Sequence, residues 1–188
     1  MKANLIIVAA PSGAGKSSFV ERICREEPRL VDTVTYTTRS MRRGESQGHP
    51  YHFVSKSEFE ALIDRNFFVE WAFVHNNMYG TPLNQLEEAW KSGKAVIMDV
   101  DIQGAATFRA KFPDQAAGIF ILPPSLDELE RRIVKRDGQR PSDLDVRLKN
   151  AQIETAKAHE FDYQVVNDDF ERSYAEFKKI VEDLLKPR

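Results

Sequence analysis

Residues 10–17 read A-P-S-G-A-G-K-S, directly after the apolar run Leu5-Ile6-Ile7-Val8-Ala9 and directly before Ser18-Phe19-Val20-Glu21-Arg22-Ile23-Cys24. This order predicts a buried strand, a glycine-rich loop and a helix in immediate succession, with Phe19, Val20, Ile23 and Cys24 on the apolar face of the helix. The chemistry explains the spacing. Gly13 and Gly15 let the backbone curl until successive N–H groups point inward at phosphate oxygens, and the helix adds its positive N-terminal end. In such a loop Lys16 reaches the β and γ phosphates of a nucleoside triphosphate, and Ser17 offers its hydroxyl to the Mg²⁺ that bridges them. The stretch reads as a phosphate-binding P-loop. Ala10 stands where the pattern G-x-x-x-x-G-K-[ST] has its first glycine, so the backbone there must hold dihedral angles that alanine tolerates.

With 188 residues, 41% of them hydrophobic, the chain has the material for one domain around a well-buried core. A net charge of −2 with 30% charged residues describes a mixed surface and gives no support to a nucleic-acid or membrane partner. No run approaches the ~20 apolar residues of a membrane span. The apolar N-terminal run ends in the P-loop, so it reads as strand and not as signal peptide. Cys24 stands alone and cannot form an internal disulfide; its apolar neighbours suggest a buried small hydrophobe in a reducing, cytoplasmic compartment. The histidines, His49, His52, His75 and His159, are scattered and form no metal-ligand pattern.

Downstream, Val31 to Thr38 alternates Val, Thr and Tyr and reads as a strand. The region from Thr37 to Val54 resembles a hairpin and holds Arg39, Arg42, Arg43 and Tyr51. Arginine forks there can clamp a phosphate dianion, and a tyrosine hydroxyl can add a neutral donor. Ser55 and Glu58 form a capping box that opens a helix to about Arg65. Glu70 interrupts the apolar strand over 67–74 and is expected to face a polar cavity or a partner, since an unpaired buried carboxylate is costly. Thr81 and Pro82 read as the cap and first position of another helix, running to about Ser92. Residues 94–101 form a second buried strand ending in Asp99 and Asp101, which share a face if the strand continues. Carboxylates at that end of an α/β strand lie beside the ligand crevice.

A helix over 102–112, a strand over 118–122 and a capping box from Ser125 to Glu128 follow. Arg132 and Arg136 share a face of the helix from Ser125, and Arg147 lies on the next helix, an arrangement that reads as a lid able to close over phosphates. A last strand at 163–166 leads through Asn167 to an amphipathic C-terminal helix. This alternation implies an α/β fold with a mainly parallel central sheet and helices on both faces.

From the P-loop to the C-terminal helix the chain resembles the guanylate kinases. That family's acceptor-site signature is T-[ST]-R, a basic residue, an acidic one, a glycine and Y-x-F. Here Thr37-Thr38-Arg39, Arg42, Glu45, Gly48, Tyr51 and Phe53 fill it in register. The resemblance implies a P-loop NTPase-type core over about 1–34, 81–124 and 156–188, a GMP-binding subdomain over about 35–80 and a lid over about 125–155. It implies Mg²⁺-dependent transfer of the γ-phosphoryl group of ATP to GMP or dGMP, giving ADP and GDP, in purine nucleotide metabolism. Carried over by position, Arg39, Arg42, Tyr51 and Tyr79 are the clamp on the GMP phosphate, and Glu70 is the guanine reader. A carboxylate suits that role, because it accepts from N1–H and the exocyclic amino group of guanine while adenine offers no such donor pair. Thr35 and Thr81 are implied as donors to the guanine carbonyl, Asp99 as a carboxylate of the same pocket, and Asp101 as orderer of magnesium's hydration. The ATP site is implied at Pro11, Ser12, Gly13, Ala14, Gly15, Lys16, Ser17 and Ser18, with Asn167 beside the adenine. Lys16, Arg39, Arg132, Arg136 and Arg147 are implied as the catalytic residues, acting by positioning and charge neutralisation.

The alternative of a different class is a guanylate-kinase-like module that keeps the fold and clamp but binds phosphorylated peptides without catalysis. Such modules have a degraded phosphate loop, whereas Lys16 and Ser17 are intact here. A kinase acting on a ribose phosphate would not require Glu70 with Thr35 and Thr81. A nucleic-acid-binding role is opposed by the confinement of the arginines to two phosphate-facing segments. The expected partners are small-molecule substrates, on a monomer or small homo-oligomer.

Overall fold

The computed structural model describes residues 2–42, 44–74 and 76–187, so Arg43 and His75 lie outside the described residues. The chain opens with β1 (Leu5–Ala9), α1 (Lys16–Glu26), β2 (Leu30–Asp32), β3 (Tyr36–Thr37), β4 (His52–Phe53), α2 (Lys56–Asp64), β5 (Phe68–Val74) and β6 (Asn77–Pro82). It continues with α3 (Leu83–Lys91), β7 (Ala95–Asp99), α4 (Ile102–Lys111), β8 (Ala116–Leu122), α5 (Leu126–Asp137), α6 (Leu144–Ala156), β9 (Tyr163–Val166) and α7 (Phe170–Leu184).

Five strands form a parallel sheet in the order β2-β7-β1-β8-β9. Its centre is β1, whose side chains are all fully buried because both faces are covered. Alternation splits them between two layers. Ile6 and Val8 pack with Phe19 and Ile23 of α1, Leu129 and Ile133 of α5, and Phe177 of α7. Leu5, Ile7 and Ala9 pack with Leu86 of α3 and Phe108 of α4. Each fully buried side chain of this size contributes roughly 1.5–3 kcal/mol, which is why an uninterrupted apolar run can occupy the middle of the sheet. The expected α/β architecture is the one observed.

Four elements differ from the sequence reading. The run from Val31 to Thr38 is two strands in two sheets: Leu30–Asp32 joins the parallel sheet, and Tyr36–Thr37 joins a second sheet of order β4-β3-β6-β5. Between them, side chains take the backbone hydrogen bonds. Asp32 Oδ1 accepts the N–H of Thr33 at 2.8 Å, and Gln85 Oε1 accepts that of Val34 at 2.8 Å. The expected hairpin is instead a parallel pair, Tyr36 opposite His52 and Thr37 opposite Phe53, joined by a long loop. The helix expected from Thr81 starts one residue later, because Thr81 pairs with Glu70 across the antiparallel β5–β6 ladder; Pro82 ends β6 and is the N-cap of α3, which begins at Leu83. Finally β7 stops at Asp99, and Asp101 becomes the N-cap of α4.

The capping box at Ser55 and Glu58 is complete. At Ser125 only half of one forms: its side chain accepts from the N–H of Glu128, whose carboxylate pairs with Arg131 and Arg132. Cys24 is half-buried against the core, and burial pushes its thiol up to about 12. Among the described residues no helix is long and apolar enough to cross a membrane.

Candidate active site

The site grows from the carboxyl ends of β1 and β7. In a parallel sheet these ends face one crevice, and the register Val8 opposite Asp99 sets the Asp99 carboxylate beside the start of the P-loop. The loop turns through Gly13 at φ 93° and Gly15 at φ 94°, left-handed conformations that suit glycine. Space demands glycine as well: a Cβ on Gly13 would lie 2.8 Å from Cγ1 of Ile133, and one on Gly15 would lie 2.9 Å from Nδ2 of Asn167. Ala10 is buried, and among the described non-glycine residues only Asn66 and Asn76 have positive φ, so alanine fits without strain. No side chain caps α1. Its first-turn N–H groups therefore face the loop as an anion-binding end.

Ser17 and Lys16 both address Asp99. Ser17 Oγ donates to Asp99 Oδ2 at 2.6 Å, and Lys16 Nζ lies 4.0 Å from the same oxygen. Asn167 is buried at 5% exposure and ties three elements together. Its Nδ2 donates to the Ala14 carbonyl at 2.8 Å, its N–H donates to Leu122, and its carbonyl accepts from Arg132 Nη2 at 3.0 Å. Asn167 and Arg132 thus brace the loop from behind.

A cavity of about 160 Å³ opens beside Lys16, lined among others by Thr35, Glu70, Thr81, Asp99 and Asp101. The expectation that Glu70 faces a polar cavity holds. Thr81 Oγ1 donates to Glu70 Oε1 at 3.2 Å. Burial raises the Glu70 carboxyl to about 7; Asp101 pushes it the same way, while the Thr81 hydroxyl and Lys111 pull it down. Asp101 Oδ1 accepts the N–H of Gly104 at 2.7 Å. The two aspartates thereby separate: Asp99 meets the P-loop hydroxyl, whereas Asp101 caps α4 and bears on Glu70.

A larger cleft of about 710 Å³ joins the P-loop to the second sheet and to α6, with Ser12, Ser17, Arg39, Arg42, Arg136 and Arg147 among its lining. Arg39 Nη2 donates to Glu45 Oε1 at 2.7 Å, and the other carboxylate oxygen accepts the N–H of Arg42 at 2.7 Å. The Arg39 guanidinium also sits 5.4 Å from the ring centroids of both Tyr51 and Phe53. Tyr51 and Tyr79 meet edge-on at 5.9 Å. Burial raises the Tyr51 phenol to about 12, which keeps it a neutral donor near pH 7. On the helical side, Arg136 Nε donates to Asp137 at 2.8 Å and Arg147 Nη1 donates to the same carboxylate at 3.0 Å.

These features match a known family over nearly the whole sequence: the guanylate kinase model covers residues 2–184. The chain belongs to the guanylate kinase family. Among curated relatives, a guanylate kinase of Bdellovibrio bacteriovorus is 64% identical over 98% of this chain and 100% of its own length. One of Dechloromonas aromatica is 44% identical over 96% of this chain and 89% of its own. A crystal structure of guanylate kinase from Anaplasma phagocytophilum superposes with a TM-score of 0.80 at 30% identity, covering 98% of this chain and 87% of that one. These relatives support a catalytic nucleoside monophosphate kinase and not the non-catalytic binding module.

Within this guanylate kinase fold, Thr35, Glu70, Tyr79 and Thr81 converge on the smaller cavity, and Ser12, Ser17, Arg39, Arg42, Arg136 and Arg147 on the larger cleft. Arg132 and Asn167 line neither cavity and hold the loop instead. Sequence reasoning gave no role to Glu45, Asp137 or Asp32. The signal for Glu45 is an acid three residues from Arg42 and six from Arg39; for Asp137, an acid beside Arg136 at a helix end. Asp32 lines the cleft at the end of β2, a position hidden by reading one strand across residues 31–38.

Proposed function

We propose that this chain transfers the γ-phosphoryl group of ATP to GMP or dGMP, giving ADP and GDP. The observation that carries the reading is the junction of two sites. The P-loop with Ser17 and Lys16 and the carboxylate-lined cavity of Glu70 share Asp99 as a common wall, so donor phosphates and an acceptor base fit on either side of one carboxylate. The acceptor phosphate is held by Arg39, Arg42, Tyr51 and Tyr79. Ionised Glu70 accepts N1–H and the exocyclic amino group of guanine, with Thr35 and Thr81 as hydroxyl donors to its carbonyl. The N–H groups of Gly13, Gly15, Lys16 and Ser17 cradle the donor phosphates, and Asn167 holds that cradle through Ala14.

Mg²⁺ fits the donor set. Ser17 Oγ and Asp99 Oδ2 are hard oxygen ligands in contact, and among the described residues no cluster of three or more His, Cys, Asp or Glu side chains could hold a metal ion unaided. An ion carried in with nucleotide phosphates suits such a sparse site, and when bound it neutralises phosphate charge. Asp99 is then both a wall of the base pocket and the carboxylate toward the metal, and Asp101, expected from the family beside magnesium, is a wall of the base pocket. Residues 35–80 carry the second sheet but for Thr81 and Pro82 at the end of β6, which supports their assignment as an acceptor subdomain beside the core over 1–34, 81–124 and 156–188, with 125–155 as lid. No covalent intermediate is needed, because a GMP phosphate oxygen is already a nucleophile. Arg136 and Arg147 stabilise charge as it spreads over the transferred group.

The test is ADP formation from ATP and Mg²⁺ with GMP, AMP, CMP and UMP offered in turn. Turnover with GMP far above the other three supports the assignment. Folded protein that binds GMP without turnover would return the binding module to favour.

A further inference from the structure

The last turn of α5 breaks a local rule. Asp137 is its final residue, at the negative end of the helix dipole, where a carboxylate is disfavoured. Gly138 follows at φ 73° and ends the helix in a left-handed turn. The Asp137 carboxylate accepts from Arg136 Nε at 2.8 Å with one oxygen and from Arg147 Nη1 at 3.0 Å with the other. Arg147 also donates Nε to Asp143 Oδ2 at 2.9 Å. Two aspartates and two arginines thus form a charge-balanced group across α5 and α6, and both arginines line the cleft shared with Ser12 and Ser17.

Stability gives little reason for this group. Asp137 is 26% exposed, Arg147 27% and Arg136 53%, and ion pairs so open to water add little to folding. Its effect is on arrangement. Two guanidinium groups brought together repel, and the half-exposed Arg136 would otherwise swing into solvent. One carboxylate accepting from both sets them side by side, while each fork keeps further N–H donors for an anion.

We propose that Asp137 is a positioning residue for phosphoryl transfer, holding Arg136 and Arg147 as a pair on the cleft wall before the phosphates arrive. The proposal rests on the kinase reading above. Because it acts on arrangement and not on ground-state contacts, it affects turnover more than substrate affinity.

The experiment is steady-state kinetics of Asp137→Asn, Asp137→Glu and, as a control, Glu130→Gln, which breaks the neighbouring pair with Arg140. Asp137→Asn lowers kcat about tenfold with KM for ATP and GMP within twofold, and Asp137→Glu recovers most of the loss. Glu130→Gln leaves kcat unchanged. Combined with Arg147→Ala, Asp137→Asn costs less than the product of the single losses, because it acts partly through that arginine. Wild-type or higher kcat in Asp137→Asn, an equal loss in Glu130→Gln, or fully multiplicative losses would each overturn the proposal. Arg136→Ala and Arg147→Ala at wild-type kcat would instead remove the lid-arginine roles beneath it.

Discussion

Ser17 Oγ and Asp99 Oδ2 lie 2.6 Å apart across 82 residues of sequence, joining the P-loop to the end of the neighbouring strand. A hydroxyl and a carboxylate in contact at that point offer two hard oxygens to a cation carried in with the donor phosphates. Asp99→Asn keeps the shape and removes the charge. The Mg²⁺ concentration for half-maximal activity then rises about tenfold, read by titrating Mg²⁺ at saturating nucleotides. Asp101→Ala removes a helix cap, so it lowers stability by about 1 kcal/mol and leaves the Mg²⁺ requirement in place. The opposite pattern would give the metal role to Asp101.

Glu70 sets recognition against stability. Its carboxyl has a folded value of about 7 against an ordinary 4.5, so folding favours the protonated form. The stability that protonation supplies is fully present below about pH 4.5 and is lost as pH rises through about 7. Glu70→Gln cannot ionise and keeps it. At pH 8 this variant is more stable than the parent by roughly 3 kcal/mol, several degrees in melting temperature, and the difference fades toward pH 4.5. Guanine reading runs the other way. KM for GMP in the parent falls as pH rises through about 7, whereas Glu70→Gln loses about 10–100-fold in kcat/KM for GMP and little for ATP. Equal losses for both nucleotides would make Glu70 structural.

The P-loop was legible because every signal it needs lies within the twenty residues from Leu5 to Cys24: buried strand, glycines at fixed spacing, apolar helix face. What escaped depends on partners far along the chain. The β-branched run over 31–38 hides a change of sheet, decided where Gln85 captures the N–H of Val34. Thr81-Pro82 carries good helix-start chemistry, and pairing of Thr81 with Glu70 on β5 moves the cap one residue on, to Pro82. Asp99 and Asp101 share a face only if the strand continues. It ends between them, sending one carboxylate to Ser17 and the other to the first turn of α4. The acceptor signature holds Arg39, Arg42 and Glu45, but it does not tell that the acid joins the two arginines, Arg39 through its side chain and Arg42 through its N–H.

Ala10 and Gly13 occupy the same loop under opposite constraints. Ala10 is buried with ordinary dihedrals, so Ala10→Gly leaves kcat unchanged and lowers stability by about 0.5–1 kcal/mol through the freer unfolded chain. Gly13→Ala combines a φ of 93° with a Cβ 2.8 Å from Ile133. It costs about 1–3 kcal/mol and lowers kcat/KM for ATP by at least tenfold, because the loop must shift from α5. Calorimetry and kinetics on the pair check both; a Gly13→Ala enzyme of normal activity would mean that the loop tolerates displacement.

Glu45 is the hinge of the acceptor clamp. One oxygen accepts from Arg39 Nη2 and the other from the N–H of Arg42, both at 2.7 Å, while the guanidinium lies beside the Tyr51–Phe53 pair, 5.4 Å from each ring centroid. Glu45→Gln preserves size and one acceptor but removes the charge that fixes Arg39. KM for GMP rises about tenfold and KM for ATP stays within twofold. Arg39 holds the Glu45 carboxyl below its ordinary range, so the clamp stays charged well below neutrality. The pH dependence of GMP binding near 7 therefore belongs to Glu70, and Glu45→Gln raises the whole KM profile without moving its midpoint. A shifted midpoint would place Glu45, and not Glu70, at the origin of that dependence.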